Sequence, residues 1–238
     1  MINKIKINGE ELGGIYVDSS LSFNKPAKNV QPFSIPGRSG SLIIDDGTWG
    51  NVMIEYPAYA NEHQGVNFRE IFDRIVRQLA PLSGYQRIET DYDPEHFRLG
   101  RVIVPEAPNP VRLNLDGFFT LSFDCKPQRY LTTGETAAEF TESSRIINPT
   151  AYPSKPLIRI YGTGTATVGN TEITLTDNTG NYTDIDCELM DSYRGAASRN
   201  QYVSFTGNDY PVLEPGDNQV LLGTGITKIE ITPRWWEL

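Results

Sequence analysis

Apolar and polar residues alternate along much of this chain, which is the period of β-strands with one buried face. The first such stretch, KIKINGEEL, places Ile5 and Ile7 on one face before a turn at Gly9, and it predicts a hairpin. A second hairpin is predicted in SLIIDDGTWGNVMIEY, with strands over residues 42–44 and 52–56 joined by a turn at the DG pair. Further strands are predicted in FRLGRVIVPEA and VRLNLDGFFTLSFDCKPQRYL.

One segment has a different period. In NFREIFDRIVRQLAP the apolar residues recur every three or four positions, which predicts an amphipathic α-helix near residues 67–80. Asn67 and Glu70 have the spacing of a capping box, and Pro81 marks the end. The polar face contains three arginines and one aspartate, and is either solvated or a contact for a carboxylate-bearing neighbouring subunit: Arg69, Asp73, Arg74 and Arg77.

The second half of the chain shows a third pattern. Periodicity is lost in GETAAEFTESS, and short strands then recur about every ten residues with Gly, Asn and Asp between them, as in a β-sandwich. We therefore predict a mainly β protein with an N-terminal β domain containing one helix (1–133), a linker (134–150) and a C-terminal sandwich (151–238).

The chain ends in TKIEITPRWWEL, where alternation predicts a half-buried strand that Pro233 terminates. We expect Trp235 and Trp236 to clamp this strand against the body of the protein, because large aromatic side chains are stabilising when buried.

Composition and charge narrow the functional classes. With 21 glycines, 16 prolines and 12 tyrosines in 238 residues, the chain is rich in turn formers and in aromatics that suit a pleated sheet. Its net charge is −9, of which −2 falls in residues 1–131 and −7 in residues 132–238. Direct nucleic-acid binding is not expected, since the acidic half repels phosphate. Without a signal sequence or an apolar stretch of membrane-spanning length, we expect a soluble protein made in the cytoplasm, with no membrane partner.

The two cysteines are expected to be free thiols on strands. In TDIDCELM, Cys187 alternates with acidic residues and is predicted to share a buried face with Ile185 and Leu189. The acidic residues of this stretch are predicted to lie on the solvent side of the strand: Asp184, Asp186 and Glu188.

Candidate chemistry is sparse. The only histidines are His63 and His96, and the segment DYDPEHF places three carboxylates beside the second one: Asp91, Asp93 and Glu95. These side chains could bind a metal, but their spacing matches no ligand template and is more typical of a surface turn. PGRSGSL lacks the lysine and the following helix of a phosphate loop, so Gly37 and Gly40 are predicted to form a turn. No nucleophile elbow is present, and we expect no catalytic, metal or cofactor site.

Tyrosines near polar turns of the second half raise the question of carbohydrate binding: Tyr182, Tyr193, Tyr202 and Tyr210. Sugar-binding sandwiches use such rings. The favoured interpretation is that these rings cover the core and its corners, as tyrosines do in most β domains.

Several segments, in order along nearly the whole chain, resemble the distal tail protein family of long-tailed phages, especially those infecting Gram-positive hosts. They are IPGRSGSLIIDDGTWGN, FFTLSFDCKPQRYL, NPTAYPSKPLIRIYG, DCELMDSYRG, YPVLEPGDNQVLLG and TKIEITPRWWEL. The resemblance implies a hexameric ring of N-terminal domains with galectin-like C-terminal sandwiches on its outside.

In such phages the ring lies between the tail tube protein and the tail-associated lysin or fibre protein, and its periphery offers sites to receptor-binding proteins. DNA passes through the bore. The resemblance therefore implies a non-enzymatic virion component, assembled in the host cytoplasm. The chain is too short for the extra carbohydrate-binding module of some relatives, so host-sugar adhesion is not implied.

Two surfaces are predicted to make ring contacts. One is the PGRSGSLII hairpin, with Arg38, Ser39 and Leu42, and the other is the arginine face of the helix described above. Trp235 and Trp236 complete the interface candidates. Two alternatives remain open at this stage: a polysaccharide-binding sandwich module, and a carbohydrate-active enzyme with a carboxylate pair in a cleft.

Overall fold

A computed structural model of the chain describes residues 4–17, 24–61, 67–105, 109–112, 116–177 and 181–238. The chain divides into two compact units, Met1–Arg129 with Leu238, and Tyr130–Glu237. Each unit has its own apolar core. The mainly β class predicted from the sequence is confirmed, with a single α-helix among the described residues.

The first unit is a twisted antiparallel sheet with the helix packed on it. Its elements are β1 (Ile5–Ile7), β2 (Glu10–Glu11), β3 (Tyr16–Val17), β4 (Lys28–Ser34), β5 (Ser41–Trp49), β6 (Val52–Asn61), α1 (Phe68–Leu79), β7 (Tyr85–Thr90), β8 (His96–Ile103), β9 (Asn109–Arg112) and β10 (Asp116–Leu131). The order of the main sheet in the described residues is β2-β1-β7-β8-β10-β6-β3, and β9 also pairs with β10.

The N-terminal hairpin predicted at Gly9 is confirmed. Ile7 pairs with Glu10, and the two residues between them, Asn8 and Gly9, have φ angles of 53° and 84°. Both turn positions therefore have positive φ, as in the type I′ turn that suits the twist of a hairpin, and Asn-Gly is the preferred pair for it.

The helix is confirmed, including its start. The Asn67 side chain accepts a hydrogen bond from the Glu70 amide at 3.0 Å, which is the first half of a capping box. In place of the return bond to the Asn67 backbone amide, Asn67 Nδ2 donates to Glu70 Oε1 at 3.3 Å. The residues buried against the sheet are those of the predicted apolar face: Phe68, Ile71, Ile75 and Leu79, with Phe72 partly buried.

The second predicted hairpin is wrong in its pairing. The strand beginning at Ser41 does not reverse at Asp46-Gly47; it continues to Trp49 as β5 and pairs with β4, which precedes it. Gly47, with φ of 76°, and the Asp45 and Asp46 carboxylates, which accept the Gly47 and Thr48 amides, accommodate an irregularity within the strand. A DG pair allows a turn without requiring one.

Strand β6 pairs with β10 instead of β5. The register places Val52 opposite Cys125 and Asn61 opposite Asp116. Every second residue from Val52 to Ala60 is buried in the core, so one face of this strand is fixed toward the core, and β6 lies between β10 and the short edge strand β3.

The second unit is a sandwich of two antiparallel sheets. Its strands are β11 (Ala138–Phe140), β12 (Ser144–Asn148), β13 (Leu157–Gly162), β14 (Gly164–Val168), β15 (Thr171–Leu175), β16 (Tyr182–Asp186), β17 (Asp191–Arg194), β18 (Ala197–Ser198), β19 (Val203–Phe205), β20 (Gly216–Leu222) and β21 (Ile226–Thr232). The short β22 (Trp236–Glu237) follows them and belongs to neither sheet of the sandwich. In the described residues the sheets have the orders β11-β21-β13-β16-β17-β18 and β12-β20-β14-β15-β19. Their facing side chains form one core, so the predicted C-terminal sandwich is confirmed.

The predicted linker, residues 134–150, instead contains two strands of the sandwich. Strand β11 pairs with β21, and β12 pairs with β20. Both are short edge strands with mostly exposed or half-exposed side chains, and this is why their sequence lacks a clear apolar period. The compact second unit accordingly begins at Tyr130.

The solvent-facing side predicted for β16 is also wrong. Asp184 and Asp186 are 5% and 3% exposed, whereas Leu189, predicted to be buried, is 69% exposed. The strand ends at Asp186 and a turn follows, so the alternation does not extend to Leu189. Cys187 is buried as predicted, and both cysteines, Cys125 and Cys187, are free.

Candidate interaction surfaces

The most exposed apolar element of the first unit is the hairpin of β4 and β5, called the arm here (residues 28–49). All residues from 27 to 48 are exposed. The two strands pair only with each other, and Phe33 lies opposite Leu42 while Pro32 lies opposite Ile43.

Both faces of the arm carry apolar side chains. One face presents Phe33, Leu42 and Ile44, and the other presents Val30 and Ile43, each between 45% and 56% exposed. Two strands alone are at best marginally stable in water, and a soluble monomer rarely leaves so much contiguous apolar surface uncovered. The arm is therefore suited to being covered by another protein surface on both sides.

The tip of the arm is the predicted PGRSG turn. Gly37 and Gly40 have φ angles of 79° and 86°, and the Arg38 amide donates to the Ile35 carbonyl at 3.1 Å. The tip thus uses glycine where a Cβ would be strained, and it places Arg38 and Ser39 in solvent beyond the apolar strands.

The arginine face of α1 is exposed, but its members differ. Arg69 makes a surface ion pair with Asp73 at 3.9 Å, and Arg77 donates to the Asp73 carbonyl at 3.2 Å. Arg74 donates through Nη2 to the Gly13 carbonyl at 2.8 Å and so holds the segment before β3. Arg69 and Arg77 are the members of this face whose side chains are most available to a second protein.

The C-terminal segment is docked within the second unit. Trp235 is 6% exposed in the sandwich core, and its carbonyl accepts the Leu131 amide at 2.9 Å. Trp236 stacks on Tyr152 with centroids 4.7 Å apart and donates from Nε1 to the Pro153 carbonyl at 2.9 Å. Trp235 therefore lies in the core and Trp236 is half-buried against Tyr152 and Pro153, as expected of a clamp on the final strand.

A turn that the sequence did not single out lies between β16 and β17. Leu189 and Met190 are 69% and 64% exposed, and Met190 has φ of 54°, a left-handed conformation that a side chain like methionine rarely adopts. Asp186 holds the base of the turn by accepting the amides of Glu188 and Leu189 at 3.0 and 3.1 Å. Two exposed apolar side chains on a strained, fixed turn are a candidate contact surface.

Asp186, whose carboxylate is buried, also forms an ion pair with Arg234. Arg234 donates to it through both terminal nitrogens, at 2.7 and 2.8 Å. Burial works to raise the pKa of Asp186, but the hydrogen bonds from Arg234 and the two turn amides outweigh it and hold the pKa below its usual range. Asp184 is satisfied in the same way by Arg159, at 2.6 and 3.0 Å.

The acidic segment before β8 forms the turn between β7 and β8. Asp93 accepts from His96 Nδ1 at 2.7 Å and from Arg129 Nη1 at 3.1 Å, so its carboxylate is committed to two cationic or polar neighbours. Within the described ranges, no group of three or more His, Cys, Asp or Glu side chains is placed to hold a metal ion. His63 lies outside the described residues.

Most of the candidate tyrosines of the second unit are half-buried in contacts of their own domain. Tyr182 packs under the Arg159 guanidinium, Tyr202 under that of Arg199, and Tyr210 against Phe205. These rings cover the edges of the sandwich.

No helix in the described part of the chain has the length and apolar character needed to cross a bilayer.

Comparison with known proteins identifies solved structures that have a similar fold. No protein-family profile matches the chain, and no curated protein matches it in sequence. Among solved structures, the chain is similar to the SPP1 Dit protein, described as a paradigm of the hub adsorption apparatus in phages infecting Gram-positive bacteria. The identity is 16%, all of both chains is covered, and the TM-score is 0.71.

Chains from two structures of the phage P2 baseplate in its activated conformation, one with Ca and one with Sr, are similar at 11% identity. Each match covers 97% of this chain and 98% of the other, with a TM-score of 0.50. At these identities the likeness concerns the fold, and the fold that the distal tail resemblance predicted is confirmed. The chain has the fold of the SPP1 Dit protein over its whole length.

Proposed function

We propose that this chain is a structural protein of a phage tail tip, a baseplate hub component that assembles into a ring through its first unit. The observation that carries the proposal is the match to the SPP1 Dit fold over the full length of both chains. It is supported by the segments that resemble distal tail proteins and by an arm that is exposed on both faces.

In this role the ring is hexameric and lies between the tail tube and the tail-associated lysin or fibre protein, with the sandwiches offered to receptor-binding proteins. A closed ring requires head-to-tail interfaces, in which one surface of each copy contacts a different surface of the next. An extended arm suits such an interface because it reaches beyond its own core. The work is geometric and involves no bond chemistry, no cofactor and no direct contact with DNA bases.

The arm test uses two single variants, Leu42→Asp and Ile43→Asp, one on each face. Both side chains are already exposed, so each variant should leave the melting temperature of the protomer nearly unchanged. Burying the new carboxylate in an apolar interface should cost about 3 kcal/mol, which weakens each contact about a hundredfold. Native mass spectrometry and negative-stain microscopy should show hexameric rings for the wild type and monomers for the variants.

The matched control is Ile147→Asp on β12, where an isoleucine is 65% exposed in the second unit. It should leave the rings intact. Disruption by only one of the two arm variants would identify the covered face. Rings that survive both variants would remove the arm from the interface, and a wild type without annular particles at high concentration would contradict the proposed function.

The helix face is tested separately with Arg69→Glu/Arg77→Glu. Arg74 is left in place because its hydrogen bond to the Gly13 carbonyl is part of the protomer fold. If the helix contacts an acidic surface of the next copy, the reversed charges should destabilise the ring most at low salt. Unchanged hexamers at low salt would exclude the helix face.

A further inference from the structure

A small pocket lies in the first unit where β6, β7 and β8 meet β10. Its volume is about 30 Å³, more than the roughly 10–15 Å³ that a single water requires. Its polar lining comes from six side chains: Tyr56, Thr90, Asp93, His96, Arg98 and Arg129. The pocket is separate from the arm and from the arginine face of the helix.

Arg98 is the charge in this pocket that lacks a counter-charge. It lies on β8 opposite Ile88, and among the described residues its buried Nη1 has no hydrogen-bond partner and its guanidinium makes no ion pair, although Asp93 attracts it from a greater distance. Loss of solvent lowers the pKa of Arg98, yet an arginine stays protonated in proteins. A partly buried cation without an anion is costly, so the fold should supply one.

The neighbouring groups do not supply that anion. Burial raises the pKa of Tyr56 and of Cys125 to about 12, so both are neutral at neutral pH. Asp93 is the acidic group of the lining, and it is bonded to His96 and Arg129. Asp93 is therefore already occupied by other partners, and it makes no ion pair with Arg98.

We propose that this pocket binds a small monovalent anion of the halide class, chloride in cells, against the free guanidinium edge of Arg98. The volume admits one halide and is tight for sulfate or phosphate. Tyr56 lines the same space, and its neutral hydroxyl is the O–H donor that we assign to the bound ion. The anion belongs to the folded first unit, because the unfolded chain does not bring these strands together.

A ligand that binds only the folded state raises the melting temperature in proportion to the logarithm of its concentration. The full-length protein should therefore melt higher in sodium bromide or chloride than in sodium gluconate at equal ionic strength. Above the dissociation constant, each tenfold increase in halide should add about 3–6 °C.

Arg98→Met should lose this halide dependence. The control is Arg101→Met on the same strand, whose side chain is 64% exposed and makes a surface ion pair with Asp124 at 3.3 Å; it should keep the dependence. Crystals of the wild type grown in sodium bromide should show an anomalous peak beside Arg98 Nη1. The wild-type salt comparison and the bromide crystal decide the question even if Arg98→Met does not fold.

Equal melting temperatures in halide and gluconate, or a pocket occupied only by water in bromide crystals, would overturn the proposal. A bromide peak without any Arg98-dependent change in stability would also overturn it, since the ion would then be adventitious.

Discussion

At the scale of single residues, Met190 has an unfavourable left-handed backbone conformation. Its side chain is exposed, so burial of that side chain in the sandwich does not offset the cost. A left-handed φ at a residue with a Cβ costs about 1–2 kcal/mol, and Met190 is exposed. The left-handed residue lies in the turn that joins the paired strands β16 and β17, so the cost of its conformation is set against the pairing of those strands.

Relief of this strain is testable. Met190→Asn should raise the free energy of unfolding by about 1 kcal/mol in urea denaturation, because asparagine tolerates the left-handed region. Leu189→Asn is the control: it is equally exposed but has no positive φ, and it should change stability by less than about 0.5 kcal/mol. A Met190→Asn protein less stable than the wild type would mean that methionine makes a stabilising contact there.

Asp186 links the same turn to the C-terminal segment through its two bonds to Arg234 and its two bonds to turn amides. Asp186→Asn leaves the half-buried Arg234 guanidinium without its main counter-charge and should cost about 3 kcal/mol in urea denaturation, the lower end of the cost of breaking a buried ion pair. Glu188→Gln is the control, since its carboxylate is only 3.9 Å from Arg234 and partly exposed; it should cost less than about 1 kcal/mol.

The pH dependence has a definite sign. The pKa of Asp186 is lower in the folded state than the unfolded value near 3.9, so its contribution is fully present above about pH 4 and is lost as pH falls through the folded pKa. Acid titration of stability should show a smaller loss below pH 4 in Asp186→Asn than in the wild type. Parallel acid profiles would contradict the assignment.

At the scale of elements, the final segment stabilises the sandwich rather than fraying. Gly134 allows the backbone of the C-terminal segment to lie close to its own, because a Cβ at Gly134 would overlap the backbone nitrogen of Trp235. Deleting residues 235–238 removes one buried and one stacked tryptophan and should cost at least about 3 kcal/mol, measured by thermal unfolding. Deleting residues 237–238 alone keeps both rings and should cost much less. Equal melting temperatures for both deletions would refute the clamp.

The sequence predicted the helix and the hairpin whose stabilising contacts lie within a short segment of the chain. Helix α1 has its apolar stripe, its cap and its stop within a segment of about 15 residues, and the β1–β2 hairpin has its turn type in Asn8-Gly9. The partner of β5 was not predictable, because β4 contains Pro32 and both strands are exposed, so no buried face distinguishes one pairing from another.

At the scale of the whole molecule, the boundary between the units is a testable proposal. A fragment of residues 130–237 retains β11 and β12 and should unfold cooperatively, because all partners of its two sheets are present. A fragment of residues 151–237, which follows the boundary suggested by the sequence, lacks an edge strand of each sheet. It should be aggregated or show no cooperative transition in circular dichroism and thermal melting. A well-folded shorter fragment would restore the linker interpretation.

The surfaces proposed for assembly also belong to this scale. The sequence located the arm tip at Arg38 and Ser39 through its glycines, with Leu42 on the strand that follows, and it located the helix arginines through their spacing. It did not reveal that the arm is apolar on both faces or that Arg74 is used internally, since both depend on which strands and loops lie nearby.

The sequence by itself determined the mainly β class, the one helix, the sandwich after it and the free cysteines, because periodicity, caps and turn residues act over a few positions. Only the tertiary structure decided that Asp184 and Asp186 are buried, that residues 134–150 form strands, and that Arg98 lacks a counter-charge. A carboxylate in an alternating strand has the same local pattern whether water or a distant arginine satisfies it. Asp184 and Asp186 can be buried because their carboxylates bind arginines that lie 25 and 48 positions away in the sequence.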